Sequence, residues 1–251
     1  MIQYTIVDNM ETMGYWAADM VAEQIGRKPD SVLGLATGST PLPLYGELVR
    51  RSEAGEVDFT AVRTVNLDEY VGLPSDHPQS YRYFMREHLF DRIPIDPENT
   101  ALPDGMAQDL SAECRAYDQL IEKWGGIDLQ VLGIGHNGHI GFNEPGSVFT
   151  LKTHVVDISE RTRIANARFF GDDPQKVPAQ AITMGIGNIM AARRILLLVS
   201  GESKAEILER ALCGDVTPQV PGSVLQLHPD VTVIADREAA SFIDLRRAAM
   251  L

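Results

Sequence analysis

Cysteine is nearly absent from this chain. The only two, Cys114 and Cys213, lie far apart and show no zinc-ligand spacing. They read as two buried or free thiols in a reducing cytosol. Basic residues are also scarce: 22 Lys and Arg against 35 Asp and Glu leave a net charge of −13. Non-specific nucleic-acid binding and docking on an anionic membrane both need a basic face, so both are disfavoured. Long apolar runs are missing too. The longest, Ile195 to Val199, suits a buried strand and is far too short to cross a bilayer. The first residues, MIQYTIVDNM, lack the basic segment and apolar stretch of a signal peptide. Repeats, low-complexity tracts and linkers are absent. The expectation is a soluble, cytoplasmic protein with no nucleic-acid or membrane partner. An anionic small substrate stays open, because a few local cations and backbone N–H groups outweigh global charge at short range.

What is present points to one large core. With 251 residues and 44% hydrophobic content, a single α/β domain over residues 1–251 is expected. Strand signals fall at Tyr4–Val7, Val32–Leu35, Val62–Leu67, Leu129–Ile134, Val155–Ile158, Arg194–Ser200 and Val231–Ala235. Helical stretches alternate with them at Glu11–Arg27, Pro41 to about Glu53, Tyr81–Phe90, Ala107–Trp124, Lys204–Leu212 and Glu238–Ala249. Such alternation predicts a mostly parallel sheet flanked by helices on both faces, a Rossmann-like three-layer sandwich. Ligands in that architecture gather at the carboxyl ends of the strands.

The densest chemistry lies in Leu132 to Pro145, LGIGHNGHIGFNEP. It places His136, Asn137, His139, Asn143 and Glu144 within nine residues, interleaved with Gly133, Gly135, Gly138 and Gly141. Those glycines permit positive φ and close backbone approach, and a loop at a strand end is where a rigid frame presents reactive groups. Gly133, Gly135 and Gly138 also fit the G-x-G-x-x-G dinucleotide pattern, with Asp157 about 20 residues on. That pattern requires a helix at the third glycine. Gly141, Pro145 and Gly146 prevent one, so a nicotinamide site is disfavoured. The His136/His139 pair lacks suitable metal partners, and no metal is expected.

Three further segments carry polar groups at strand ends. Leu35 to Thr40, LATGST, leads into a helix, so Thr37, Gly38, Ser39 and Thr40 offer N–H groups and hydroxyls to a phosphate. They serve equally well as a helix cap. Val65 to Tyr70, VNLDEY, presents Asp68 and Glu69, either of which is a candidate general base or a solvated turn residue. Arg168 and Lys204 are candidate cations for the same phosphate. The single histidines His77, His88, His154 and His228 read as surface or core residues, and the Met10–Met20 and Met184–Met190 stretches as helical core.

Taken in order, LATGSTPLPLY, NLDEYVGLPSDHPQSY, GIGHNGHIGFNEPG, TRIANARFF, ITMGIGNIM, SGESKAEIL and SVLQLHPDVTVI resemble the glucosamine-6-phosphate deaminase family across essentially the whole chain. The resemblance implies conversion of D-glucosamine 6-phosphate and water to D-fructose 6-phosphate and ammonia, without metal or organic cofactor. It implies Asp68 as the base moving a proton between C2 and C1. His139 would assist ring opening, oriented by Glu144 and Asn137. Thr37, Gly38, Ser39, Thr40, Arg168 and Lys204 would hold the 6-phosphate.

This chain departs from the family pattern at two places. Many members carry aspartate where Asn137 stands. Asparagine still accepts a hydrogen bond but cannot stabilise an imidazolium by charge. Some members are hexamers activated by N-acetylglucosamine 6-phosphate through basic residues, whereas this chain has His154 and Val156 there. It also stops short of their longer C-terminal segment. A monomer or small homo-oligomer is therefore expected rather than a hexamer. Two rivals stand beside the deaminase reading. A 6-phosphogluconolactonase shares the fold but has no need of Asp68 and Glu144. A sugar-phosphate sensor would ordinarily bring a DNA-binding segment and lose a catalytic group.

Overall fold

The structure, a computed structural model, describes residues 2–243. In chain order its elements are β1 (Ile2–Val7), α1 (Met10–Arg27), β2 (Val32–Leu35), α2 (Leu42–Glu53), β3 (Arg63–Asn66), β4 (Asp68–Tyr70), α3 (Tyr81–His88), β5 (Thr100–Ala101) and α4 (Leu110–Lys123). There follow β6 (Leu129–Leu132), β7 (His154–Asp157), α5 (Glu160–Asn166), β8 (Gln180–Thr183), α6 (Ile186–Met190), β9 (Arg194–Val199), α7 (Ala205–Cys213) and β10 (Val231–Asp236). Seven strands form a parallel sheet in the order β1-β10-β9-β6-β2-β3-β5, and β4-β8-β7 form a small antiparallel one.

The large sheet is apolar on both faces because helices cover both. Successive strand residues point to opposite sides. Ile195, Leu197, Val231 and Val233 join one core with Tyr117 and Ile121 of α4 and Leu208 of α7. Leu196, Leu198, Ile234 and Leu33 join the other with Met13 of α1 and Leu44 and Leu48 of α2. Burial of each such side chain is worth roughly 1.5–3 kcal/mol. Local signals set the helix starts. Asn9 accepts the Thr12 N–H at 2.8 Å ahead of α1, and Ser80 accepts the Tyr83 N–H at 3.0 Å ahead of α3.

Strand order decides where a ligand goes. From β2 the chain moves outward through β3 to β5, then returns to β6 beside β2 and proceeds the other way through β9 to β10. The loops leaving β2 and β6 therefore diverge, and a crevice opens at the carboxyl ends of the strands.

Several expectations need correction. The strand expected at Val155–Ile158 belongs, as β7, to the antiparallel sheet. β4, β5 and β8 have too little apolar alternation to stand out, being only two to four residues long. The Met184–Met190 stretch is helical only from Ile186, because β8 ends at Thr183 just before it. The described part of the expected Glu238–Ala249 helix, as far as Ile243, forms turns, and residues 244–249 lie outside the described residues. In the glycine-rich loop only Gly138 and Gly141 adopt positive φ. Gly133 and Gly135 do not. No helix follows Gly138 before α5, as the proline and glycines there require. Among the described residues no helix is long and apolar enough to cross a membrane.

Candidate active site

The crevice is a cleft of about 910 Å³, lined by the segments leaving β2, β3, β6 and β9 and flanked by α3 and α5. Thr37, Gly38, Ser39 and Thr40 all face it. The helix behind them begins at Leu42 after Pro41, and no side chain caps it. The capping role open to these hydroxyls is therefore not taken up, and the hydroxyls are available to an anion. Gly38, at φ +98°, makes the turn that a side-chain-bearing residue would resist.

Adjacent residues on β4 part company, as strand alternation demands. Glu69 turns away and ties down α3, its carboxylate accepting the N–H groups of Tyr70, Tyr81 and Arg82, each at 2.9 Å. Asp68 faces the cleft and is only 6% exposed. Among the described residues no donor reaches its carboxylate. Burial first, and the neighbouring Glu69 second, push its pKa up to about 8. A buried, unpaired carboxyl of this kind is poised to exchange a proton near neutral pH.

The loop after β6 folds back so that Gly135 N–H meets His139 O at 2.9 Å, while Ile140 and Asn143 form an antiparallel bridge. His139 lies over Gly135, where any Cβ would fall on the imidazole. Its Nδ1 stands 3.5 Å from Glu144 Oε1. Burial lowers the imidazole pKa, and Lys204 and His136 add to that, while Glu144 opposes it. Asn137 Nδ2 donates to Glu144 Oε2 at 2.5 Å, and its Oδ1 accepts the His139 main-chain N–H at 3.2 Å. Asn137 thus fixes the backbone and the carboxylate rather than touching the ring.

Two cations complete the cleft. Lys204 Nζ donates to Ile134 O at 2.8 Å, which leaves two ammonium protons for a ligand. Burial first, then the charge of Arg168, lower its pKa to about 8. Arg168 follows α5 and stacks on the Phe169 ring, 4.6 Å from its centroid. His136 lines the same region, its pKa lowered first by burial and then by Lys204. One cleft therefore holds an anion cradle, an unpaired carboxyl and a carboxylate–imidazole pair. Among the described residues no three His, Cys, Asp or Glu side chains form a set that could hold a metal ion.

A sequence model of the glucosamine-6-phosphate isomerases and 6-phosphogluconolactonases matches residues 8–234. The chain belongs to that family. It is 56% identical over 238 residues to the glucosamine-6-phosphate deaminase of Thermoanaerobacter pseudethanolicus, covering 95% of this chain and 94% of that one. A solved structure of a monomeric glucosamine-6-phosphate deaminase superposes with a TM-score of 0.93 at 48% identity, covering 96% of this chain and 100% of the other. The 6-phosphogluconolactonase of Trypanosoma brucei gives a TM-score of 0.75 at 19% identity, over 96% and 98% of the two chains. At that identity the likeness is one of fold.

Every residue expected at the isomerase/lactonase site lines the cleft except Glu144, which reaches it through Asn137 and His139. Reading the sequence alone missed Thr162, whose hydroxyl donates to Glu144 Oε1 at 2.5 Å. It also missed Asn166, which donates to the Tyr70 hydroxyl at 2.9 Å, and the aromatic wall of Tyr70, Tyr81, Phe142 and Phe170. Thr162 follows Ser159 by three residues and so looks like ordinary capping. Its partner lies eighteen residues away along the chain, and no local pattern announces that contact.

Proposed function

We infer that this chain isomerises and deaminates D-glucosamine 6-phosphate, giving D-fructose 6-phosphate and ammonia in amino-sugar catabolism. The observation that carries the reading is Asp68, a buried and unpaired carboxyl opening onto the cleft that also holds the phosphate cradle and the His139–Glu144 pair. Close deaminase relatives support it.

The 6-phosphate occupies the Thr37–Thr40 turn with Lys204 and Arg168, which fixes the far end of the sugar and leaves C1 and C2 near Asp68. His139, oriented through Glu144 and Asn137, moves a proton between the anomeric hydroxyl and the ring oxygen, so the pyranose opens to the aldehyde. Asp68 removes the proton from C2 and returns it to C1, while one proton of the C2 amine passes to the C1 oxygen. The aldehyde thereby becomes the C1 alcohol, and the C2 amine becomes an imine. Water adds to the imine carbon and ammonia leaves, giving the ketose. Every step is a proton transfer or a hydrolysis within reach of these side chains, and the reading requires neither cofactor nor metal.

The reading takes residues 1–251 as one catalytic domain acting as a monomer or small homo-oligomer, supported by the monomeric relative. It places the activity in the cytoplasm, where a charged sugar phosphate is retained. Purified protein given D-glucosamine 6-phosphate, with no metal added, should release ammonia and fructose 6-phosphate in equal amounts, and Asp68→Asn should not. Hydrolysis of 6-phosphogluconolactone without ammonia release would overturn the reading. So would tight binding of the phosphosugar without turnover.

A further inference from the structure

Glu144 serves three neighbours with two oxygens. Oε2 accepts from Asn137 at 2.5 Å, and Oε1 accepts the Thr162 hydroxyl at 2.5 Å. Oε1 is also the oxygen nearest His139, yet at 3.5 Å from Nδ1 it lies beyond a good hydrogen bond. Nδ1 is buried and has no hydrogen-bond partner, which is costly for a polar atom. Oε1 has lone pairs for both donors, so the hydroxyl and the imidazole compete over its position rather than its occupancy, and the hydroxyl holds it 3.5 Å from Nδ1.

Thr162 is well placed to prevail. Its main-chain N–H is capped by Ser159 Oγ at 3.2 Å, and its Oγ1 accepts the Ser159 hydroxyl at 3.0 Å. The Thr162 proton then has Glu144 as its outlet. The same short helix turns Arg161 into the cleft and leads on to Arg168. The charged and titratable groups facing the imidazole are Glu144 and His136 of its own loop and Lys204 from the segment before α7. Only Glu144 favours the imidazolium.

We infer that Thr162 is a positioning residue for the reaction proposed above: its hydroxyl holds Glu144 Oε1 short of His139 Nδ1 and keeps the imidazole neutral in the free enzyme. The inference rests on that reaction for its catalytic meaning, but the hydrogen-bond competition is measurable without turnover. The experiment is an NMR titration of the histidine rings in substrate-free wild type, Thr162→Val, Thr162→Ala and Thr162→Ser, with His139→Gln to assign the signal.

In the valine and alanine variants Oε1 is freed and closes on Nδ1, and the His139 pKa should rise by about one pH unit, the scale of one charge-assisted hydrogen bond gained. The serine variant should titrate like the wild type. In the ammonia-release assay the limb of the kcat profile assigned to His139 should move with the ring pKa, at unchanged KM. The alanine variant carries the test should the valine variant fail to fold. A His139 titration unmoved by loss of the hydroxyl overturns the inference. A serine variant that shifts as valine does overturns it too, since the methyl group would then be responsible. A wild type that releases no ammonia overturns the proposed reaction instead, while the titration still decides the role of the hydroxyl.

Discussion

Asp68→Asn should abolish turnover and at the same time stabilise the protein at alkaline pH. The carboxyl ordinarily titrates near 3.8 and is pushed up to about 8 here by burial and by Glu69. A carboxyl whose folded-state pKa is raised binds its proton more tightly folded than unfolded. The fold therefore suffers no penalty below about pH 4, loses stability as pH rises through the window to about 8, and is level beyond it. Each unit is worth about 1.4 kcal/mol, so the whole window amounts to about 5–6 kcal/mol, of which about 4 kcal/mol falls between about pH 5 and pH 9. Asp68 is only 6% exposed, so solvent screening reduces that figure little.

The amide that replaces the carboxyl stays neutral throughout and removes this loss. The difference in melting temperature between Asp68→Asn and wild type should grow by on the order of 10 °C between about pH 5 and pH 9. Titrating groups that do not feel the Asp68 charge are common to both proteins and cancel in the difference; Glu69, coupled to it, adds to the same effect. Calorimetry across that range checks the effect, and melting curves that run parallel would refute a buried, unpaired carboxyl at this position. The kinetic counterpart is a wild-type kcat/KM that climbs about tenfold per pH unit below about 8. It should fall again above, as Lys204, lowered to about 8, loses its charge.

Three further outcomes are expected. Arg168→Met should raise KM for the phosphosugar by about 10–100-fold through loss of one charge-assisted contact, and it should raise the Lys204 pKa by removing the neighbouring cation; steady-state kinetics and a pH titration of phosphate affinity read both. Gly135→Ala should lower kcat at least about 100-fold by displacing the imidazole that a Cβ would strike, with little change in melting temperature. Asn137→Asp sets two carboxylates across the 2.5 Å contact with Glu144, so the pair should keep one proton to near neutral pH. The His139 pKa then rises only once that proton is lost, and a pH–rate profile matching wild type would contradict this.

The sheet was legible because its strands carry their own signal: continuous apolar runs such as Ile195–Val199 arise when both faces are covered. The antiparallel trio was not. β4 is three residues long and follows β3 after one residue, so Asp68 and Glu69 read as the end of the strand Val62–Leu67 and the start of a loop. That hid the division of labour between Asp68 and Glu69, which depends on which face of β4 each occupies. The phosphate cradle could be located but not distinguished from a cap, because only the folded chain shows that α2 begins beyond Pro41 without one. Thr162 stayed hidden because its partner is set by the packing of α5 against the loop after β6.

The groups that matter are all held at a cost to the fold. Asp68 is buried with its charged form penalised, Lys204 is partly desolvated, and His139 keeps a buried nitrogen without a partner. None of these arrangements would persist on a yielding frame, since rotation toward water would relieve each one. They persist because each residue hangs from an element fixed independently of it. Asp68 is held by β4, paired to β8 through Thr183. His139 is seated over Gly135 by the hydrogen bonds of its loop. Lys204 is held by its bond to Ile134 O and by the turn at Gly201, whose N–H is anchored on Asp236. Strain concentrated on rigid supports is how a site keeps an acid, a base and a cation poised near neutral pH. Substitutions that loosen those supports should thus cost activity before they cost stability, whereas neutralising Asp68 should do the reverse: end activity while stabilising the fold.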